Sequence, residues 1–276
     1  MRLILMRAPG DHQWFQDNSL SVENIVDHWD LANSGEVERG MRWYADARRV
    51  ARTIANGDAQ LGAGMLAVYS PQQGWAGNIL NASRVLKAGK GIGGPGSGIF
   101  ASTSQKIAAD RLLAGEPYDN ILTGPKVRDF AHLIEHGGDH DAAAPRVVID
   151  RHALSVACGR ALTDAEYGGA PLGGSRRKDG SITRRLYDHV VSFYVAAARA
   201  ISEANGENVA AHQVQAVTWL VRQRLNQKSE QRRGLTTLER GRTRARINAE
   251  LAWDEFRANH FPDLAECPGT GYLPAA

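Results

Sequence analysis

The sequence has few of the features that would place it in a membrane or in a metal-binding or disulfide-rich class. No stretch approaches the roughly 18 consecutive apolar residues that a membrane helix needs, and the apolar run at the start, MRLILMRAPG, is too short for a signal peptide. Its two cysteines, Cys158 and Cys267, cannot complete a four-cysteine zinc site or an iron–sulfur cluster. We therefore expect a cytoplasmic protein that is not bound to a membrane and has neither a metal nor another cofactor.

Strand patterns are also scarce. Apolar and polar residues alternate over no more than four positions, and the best strand candidate, RVVID at 146–150, would have no partner strand. Helical spacing of apolar residues is frequent instead, and glycines follow the apolar stripes at the places where helices would end. The stripes predict helices over about 43–54, 75–86, 127–134, 183–205 and 210–225. The predicted fold class is all-α.

The net charge of +3 is unevenly distributed along the chain. Residues 222–246 contain nine Lys or Arg and two Glu, a net charge of +7, which leaves −4 for the rest of the chain. A second basic cluster at 175–185 includes Arg176, Arg177 and Lys178. These segments indicate a polyanion partner, because each neutralised phosphate releases condensed counterions. The alternative is that the longer basic run is a solvated helix face.

Four short motifs follow one another in the middle of the chain. They are MLAVYSPQQGW at 65–75, STSQKIAADRLL at 102–113, ILTGPKVRDFAHLI at 121–134 and VVIDRHALSVACGRAL at 147–162. In order and approximate spacing, over about residues 60–165, they resemble the segments of the helix-hairpin-helix DNA glycosylase superfamily, of the endonuclease III type. The resemblance implies an all-α fold of two helical lobes with DNA across the cleft between them.

The resemblance also implies roles for single residues. Asp150 corresponds to the catalytic carboxylate, Lys126 to the lysine that forms a Schiff base in bifunctional members, and Gln72 to the side chain that fills the DNA stack after a base is extruded. These residue types suit the chemistry, because a carboxylate stabilises an oxocarbenium-like sugar and an amine attacks the anomeric carbon. In the hairpin, Gly124 aligns with the second family glycine and Leu122 replaces the first.

The C-terminal half extends the predicted site. YDHVVSFYVAAARAI at 187–201 and VQAVTWLVRQR at 214–224 resemble the tail of phage and actinobacterial proteins of glycosylase-like ancestry, including proteins linked to thymine hypermodification. Gln215 and Trp219 lie one helical turn apart and would line the base pocket together with Trp75. The residues expected to contact DNA are Gln72, Gln73, Gly124, His152, Arg176, Arg177, Lys178 and Arg222.

Each of these residues also has a purely structural interpretation. Asp150 would cap the helix that begins at Arg151, Lys126 would be a surface lysine in a first helical turn, and His152 would be a packing residue. Gln72 and Gln73 would only end a helix, and Trp219 would belong to the core.

The predicted organisation has four parts. We expect an N-terminal extension over 1–40 that packs on the core, a glycosylase-like core over 41–165, a flexible loop over 166–182, and C-terminal helices with the basic run over 183–276. The leading functional prediction is a monomeric DNA glycosylase of a bacterial cell or phage-infected bacterium, with or without abasic-site lyase activity. The alternatives are a base-modifying transferase of thymine hypermodification on the same fold and a DNA-binding protein without catalysis.

Overall fold

Helices make up almost all of the regular structure. The computed structural model describes residues 14, 18–71, 73–99, 101–139, 145–172, 175–176, 182–183, 185–233 and 237–261. Within these ranges the only strands are β1 (Ser175–Arg176) and β2 (Ile182–Thr183), which pair in antiparallel orientation with Ser175 opposite Thr183. The predicted fold class, all-α, is confirmed.

The helices of the described part vary in length from one turn to more than six turns. None of them combines the length and the apolarity that crossing a bilayer requires. In chain order they are α1 (Val22–Asp30), α2 (Ser34–Ile54), α3 (Ala59–Tyr69), α4 (Trp75–Ala88), α5 (Thr103–Leu113), α6 (Tyr118–Ile121), α7 (Pro125–His136), α8 (Arg151–Ala157), α9 (Asp164–Gly168), α10 (Arg185–Asn205), α11 (Ala211–Arg233) and α12 (Thr237–His260).

The helix ends follow the signals in the sequence. Helices α4 and α7 end at Gly89 and Gly137, whose φ angles of 63° and 68° are left-handed and favour glycine. Helix α2 begins earlier than its apolar stripe indicates, because Asn33 and Glu36 form a reciprocal capping box. Helix α11 continues beyond the predicted end at 225, where the stripe stops but helix-favouring Gln, Lys, Glu and Arg residues follow.

Two hydrophobic clusters form the core of the described residues. The first cluster is built by α2 to α7 and includes Trp253 of α12. The second cluster is built by α1, α8, α10 and the start of α11. Helices α2 and α11 pack closely, and a Cβ added to Gly40 would lie 2.7 Å from the backbone of Val217. The boundary predicted at residue 40 therefore falls inside a helix that packs against the C-terminal half.

The segment 145–150 runs between the two clusters without regular secondary structure. Val147 and Ile149 pack into the second cluster, whereas Val148 packs into the first. This alternation is that of an extended backbone, whose successive side chains point to opposite sides. The candidate strand RVVID is thus no strand, and its β-branched residues serve two helical cores instead of a sheet.

Candidate active site

A pocket opens where the segment 145–150 meets α2, α4, α7 and α11. Its volume is about 110 Å³, which approaches the roughly 150 Å³ of an engineered apolar cavity that binds benzene. The pocket is therefore of a suitable size for a single planar ring. The lining residues are Trp43, Tyr44, Ser70, Gln73, Trp75, Asn78, Lys126, Phe130, Val148, Asp150, Gln215, Ala216 and Trp219.

Asp150 lies in the pocket wall at the start of α8. Its backbone is extended, and its Oδ1 atom accepts a hydrogen bond of 2.8 Å from the backbone N–H of Ala153. Asp150 is thus the N-cap that its position before Arg151 predicts. The side chain is half-buried and also lines the pocket, so capping and exposure to a ligand coexist in one residue.

Lys126 reaches the same pocket from the first turn of α7. Gly124 is the N-cap of this helix, and Pro125 occupies its first position, where proline is favoured. Lys126 follows directly and is half-buried. The fold therefore brings a carboxylate and an amine from distant parts of the sequence into one pocket of the size of a ring.

Aromatic side chains form much of the pocket wall. The indole of Trp43 lies at the centre of the group, with ring centroids 5.0 Å from Trp75, 5.9 Å from Phe130 and 6.3 Å from Trp219. These spacings are those of aromatic pairs that pack edge to face or in offset stacks. A planar ligand in the pocket would be surrounded by rings that can stack on it.

Three carboxamide side chains contribute neutral polar groups to the pocket. Gln73, Asn78 and Gln215 line it, and the hydroxyl of Tyr44 donates a hydrogen bond of 3.1 Å to Oε1 of Gln215. Burial raises the pKa of Tyr44 well above its ordinary value, and the charge of Asp150 raises it further. Tyr44 therefore stays a neutral donor that holds the Gln215 carboxamide in place.

His152 lies behind the indole of Trp219. Their ring centroids are 6.2 Å apart in an edge arrangement, and Nδ1 of His152 is 3.4 Å from the side-chain amide nitrogen of Asn226. Burial lowers the pKa of His152, against the opposing effect of Asp150. Arg222 lies nearby with only 9% of its surface exposed, and its guanidinium donates to Oδ1 of Asn226.

A buried polar network holds the segment that carries Asp150. The carboxylate of Asp129, on α7, accepts a hydrogen bond of 2.9 Å from Arg146 and one of 2.8 Å from the Tyr187 hydroxyl. The same hydroxyl lies 2.8 Å from the carbonyl oxygen of Val147. Both ends of the segment are thus fixed, since Asp150 itself is held by α8.

The structure brings together six of the residues that the sequence analysis selected. Asp150, Lys126, Gln73, Trp75, Gln215 and Trp219 all line the pocket. Gly124 caps the adjacent helix, and His152 and Arg222 lie behind the Trp219 wall. Because Arg222 is buried, its position is that of a supporting residue and not that of a surface contact to phosphate. Gln72, Arg177, Lys178 and the Arg176 side chain lie outside what the structure describes.

Several pocket residues were not selected from the sequence. Trp43 and Phe130 belong to apolar stripes, and a stripe does not distinguish a residue that lines a cavity from one that fills the core. Asn78 had a usable signal, because it is a polar residue one turn after Trp75 on the buried face of α4. Tyr44, Ser70, Val148 and Ala216 had no such signal.

The described part of the chain contains no cluster of three or more His, Cys, Asp or Glu residues suited to hold a metal ion. His132 and His136 stack on α7 with ring centroids 4.2 Å apart. His136 Nδ1 lies 2.9 Å from the His132 carbonyl oxygen. This pair is explained by contacts within its own helix.

Fold and pocket together define a mostly helical protein with an aromatic pocket that contains one carboxylate and one amine. Residues 15–228 match the model of a family of unknown function (DUF7178), and since this match spans most of the chain, the protein belongs to that family. No curated protein and no solved structure matches the chain significantly.

Proposed function

We propose that the protein is a DNA glycosylase that hydrolyses the N-glycosidic bond of a flipped base, with Asp150 as its catalytic carboxylate. The proposed architecture is that of two helical lobes, corresponding to the two hydrophobic clusters, with DNA across the cleft between them. One observation carries the proposal: Asp150 and Lys126 line one pocket that is walled by aromatic rings. The motif resemblance selected these two residues without reference to any pocket.

The chemistry follows from the positions of the two groups. As the bond between C1′ and the base nitrogen breaks, its electron pair leaves with the base and the sugar becomes oxocarbenium-like. The Asp150 carboxylate stabilises this positive charge and takes a proton from the water that attacks C1′. In a lyase reaction, the amine of Lys126 replaces water as the nucleophile at C1′ and forms a Schiff base.

The aromatic walls suit a base that has left the duplex. Flipping costs a few kcal/mol, because the base loses its stacking and pairing. Stacking on an aromatic side chain returns roughly 1–3 kcal/mol per base. The rings of Trp43, Trp75, Phe130 and Trp219 would therefore offset much of the cost of extrusion.

A base-modifying transferase on the same fold is the second candidate, because the hairpin departs from the glycosylase pattern, a departure that also suits a DNA-binding protein without catalysis. Leu122 replaces the first family glycine, and its side chain is buried in the first cluster. The turn before α7 is therefore built around a packed side chain at the position where glycosylases have a glycine that approaches a DNA phosphate. In this candidate, the Asp150 carboxylate would activate a group on the base without cleavage of the glycosidic bond.

The decisive experiment replaces Asp150 by Asn. Asparagine caps helices as well as aspartate does, so Asp150→Asn retains the structural role and removes the charge. Base release from duplex DNA should fall at least about 100-fold, while DNA affinity stays within a few fold. The matched control is Asp58→Asn, because Asp58 caps α3 by accepting a hydrogen bond of 2.9 Å from the Leu61 backbone N–H and does not line the pocket. Full activity in Asp150→Asn would contradict the proposal.

A trapping experiment distinguishes hydrolysis by water from lyase chemistry through Lys126. Borohydride reduction in the presence of abasic-site DNA should give a covalent adduct with the wild type and none with Lys126→Ala if Lys126 is a Schiff-base nucleophile. Lys106, an α5 residue that does not line the pocket, provides the control variant Lys106→Ala. An adduct that survives in Lys126→Ala would remove the lyase role from this residue.

A further inference from the structure

We propose that Asn78 and Trp43 recognise one edge of a planar heterocycle, an edge on which a hydrogen-bond donor lies beside an acceptor. The proposal rests on the proposed function in taking this heterocycle to be a nucleobase. The recognition itself concerns only the ring and its edge, so it applies equally to a base in DNA and to a free nucleoside.

The first argument is the lack of hydrogen-bond partners at these two residues. Asn78 is 2% exposed and Trp43 is 6% exposed. Within the described part of the chain, neither Oδ1 of Asn78 nor Nε1 of Trp43 has a hydrogen-bond partner. Buried polar groups are nearly always paired, because an unpaired group loses its hydration without compensation. A bound ligand would supply the missing partners.

The second argument is their location. Other buried side-chain atoms in the described residues also lack a hydrogen-bond partner, among them Nε1 of Trp253 and Oγ of Ser83. Of all these atoms, those of Trp43 and Asn78 alone belong to residues that line the pocket. An unpaired acceptor and an unpaired donor thus belong to two residues in the wall of one cavity of the size of a single ring.

The third argument is chemical complementarity. The Asn78 oxygen requires a donor, and the Trp43 indole N–H requires an acceptor. A ring N–H beside a carbonyl, as in thymine, provides this pair, and so does an exocyclic amine beside a ring nitrogen, as in adenine. The surrounding rings of Trp75, Phe130 and Trp219 suit a flat aromatic ligand and not a sugar or an extended chain.

Binding of free deoxynucleosides to the full chain tests the inference, with quenching of tryptophan fluorescence as the readout. Thymidine and deoxyadenosine are each compared with an analogue whose donor is methylated, N3-methylthymidine and N6,N6-dimethyldeoxyadenosine. We expect at least one parent nucleoside to bind about tenfold or more tightly than its analogue, because methylation leaves the Asn78 oxygen unpaired. Which parent nucleoside binds identifies the kind of edge.

Two variants assign the effect to the two residues. Asn78→Leu should bind parent and methylated nucleosides equally weakly, and its Tm should stay the same or rise by roughly 2–4 °C because an unpaired polar group is removed. Trp43→Phe should weaken binding of the parent nucleoside about tenfold. The matched controls are Asn81→Leu, a buried asparagine one turn further along α4, and Trp253→Phe, a buried tryptophan away from the pocket.

Three outcomes would overturn the inference: no unmodified nucleoside binds the wild type, methylation makes no difference, or Asn78→Leu keeps the wild-type preference. The result is separable from that of the proposed function. Asn78-dependent binding without any base release from DNA would refute the glycosylase and leave the recognition intact. Base release that is insensitive to Asn78→Leu and Trp43→Phe would support the glycosylase and refute the recognition.

Discussion

On the second-cluster side of the segment 145–150, two buried tyrosine hydroxyls find partners within the fold, whereas two buried polar atoms of pocket-lining residues do not. The Tyr187 hydroxyl contacts Asp129 and the Val147 carbonyl, and the Tyr194 hydroxyl donates to the carbonyl of Ala153. In two residues that line the pocket, the Trp43 N–H and the Asn78 oxygen have no partner among the described residues. Folding therefore satisfies the two tyrosine hydroxyls, whereas the Trp43 N–H and the Asn78 oxygen have the properties of groups that a ligand completes.

The largest effect on stability is expected at Asp129. Replacing it by Ala leaves the buried Tyr187 hydroxyl and the Arg146 guanidinium without their shared acceptor. The free energy of unfolding should fall by about 3 kcal/mol, because the buried Tyr187 hydroxyl loses a charged acceptor and a partly exposed ion pair is broken as well. Urea unfolding measures the change. Asp119→Ala is the control, since its ion pair with Arg128 at 3.8 Å is exposed and should contribute less than about 1 kcal/mol.

A smaller effect on the free energy of unfolding compares the two sides of the segment 145–150 directly. Tyr187→Phe should lower the free energy of unfolding by about 2 kcal/mol, because Asp129 loses a buried partner. Tyr44→Phe should cost only about 1 kcal/mol, because the Gln215 oxygen that loses its donor lines the pocket, where water can replace the hydroxyl. Urea unfolding measures both changes. If the two variants lost equal free energy of unfolding, the pocket side would be as dry and as fully packed as the second cluster.

The sequence predicts the helices well because their signals are local. Apolar stripes and glycines after helix ends are properties of neighbouring residues, and they place α4, α7 and α10 and the end of α2 correctly, whereas the start of α2 was predicted about nine residues too late. The segment RVVID shows where such signals fail. Its β-branched residues suit a strand, but they become an extended connection because two helical cores receive their side chains.

The pocket could be predicted only in part. The resemblance selected Asp150 and Lys126 through their motifs, and it selected Gln72, whereas Gln73 and Trp75 were added as neighbours in the first motif. Trp43 and Phe130 reach the same pocket through packing between distant helices, which an apolar stripe does not encode. The burial of Arg222 was missed for a related reason: a basic run predicts an exposed face, whereas the packing of α11 against α2 and α8 determines which of its residues are exposed.

A further comparison separates capping from charge at Asp150. Asp150→Ala should lower the free energy of unfolding by about 1 kcal/mol, because the Ala153 N–H loses its acceptor, and Asp150→Asn should change it little. Asp58→Ala and Asp58→Asn at the start of α3 should give the same pair of values. Chemical denaturation of the four variants tests this. A larger loss at Asp150→Asn than at Asp58→Asn would indicate that the charge of Asp150 also stabilises the fold.

The smallest predicted effect concerns the dependence of stability on pH near the pocket. Burial lowers the pKa of His152 below its ordinary value of 6.5, so above that pH the residue is neutral in both the folded and the unfolded state and contributes no pH dependence. As the pH falls below 6.5, the unfolded chain binds a proton that the folded chain resists, and stability is lost. His152→Gln should therefore reduce the slope of Tm against pH between about 6.5 and 5 and leave the slope above pH 7 unchanged.

The matched comparison is His28→Gln, because burial also lowers the pKa of His28. This variant should reduce the same slope of Tm against pH. It should not change nucleoside binding, because His28 does not line or support the pocket. A steeper slope in His152→Gln than in the wild type would mean that protonated His152 is stabilised in the fold by Asp150, and His152 would then belong to the charged part of the pocket and not to its support.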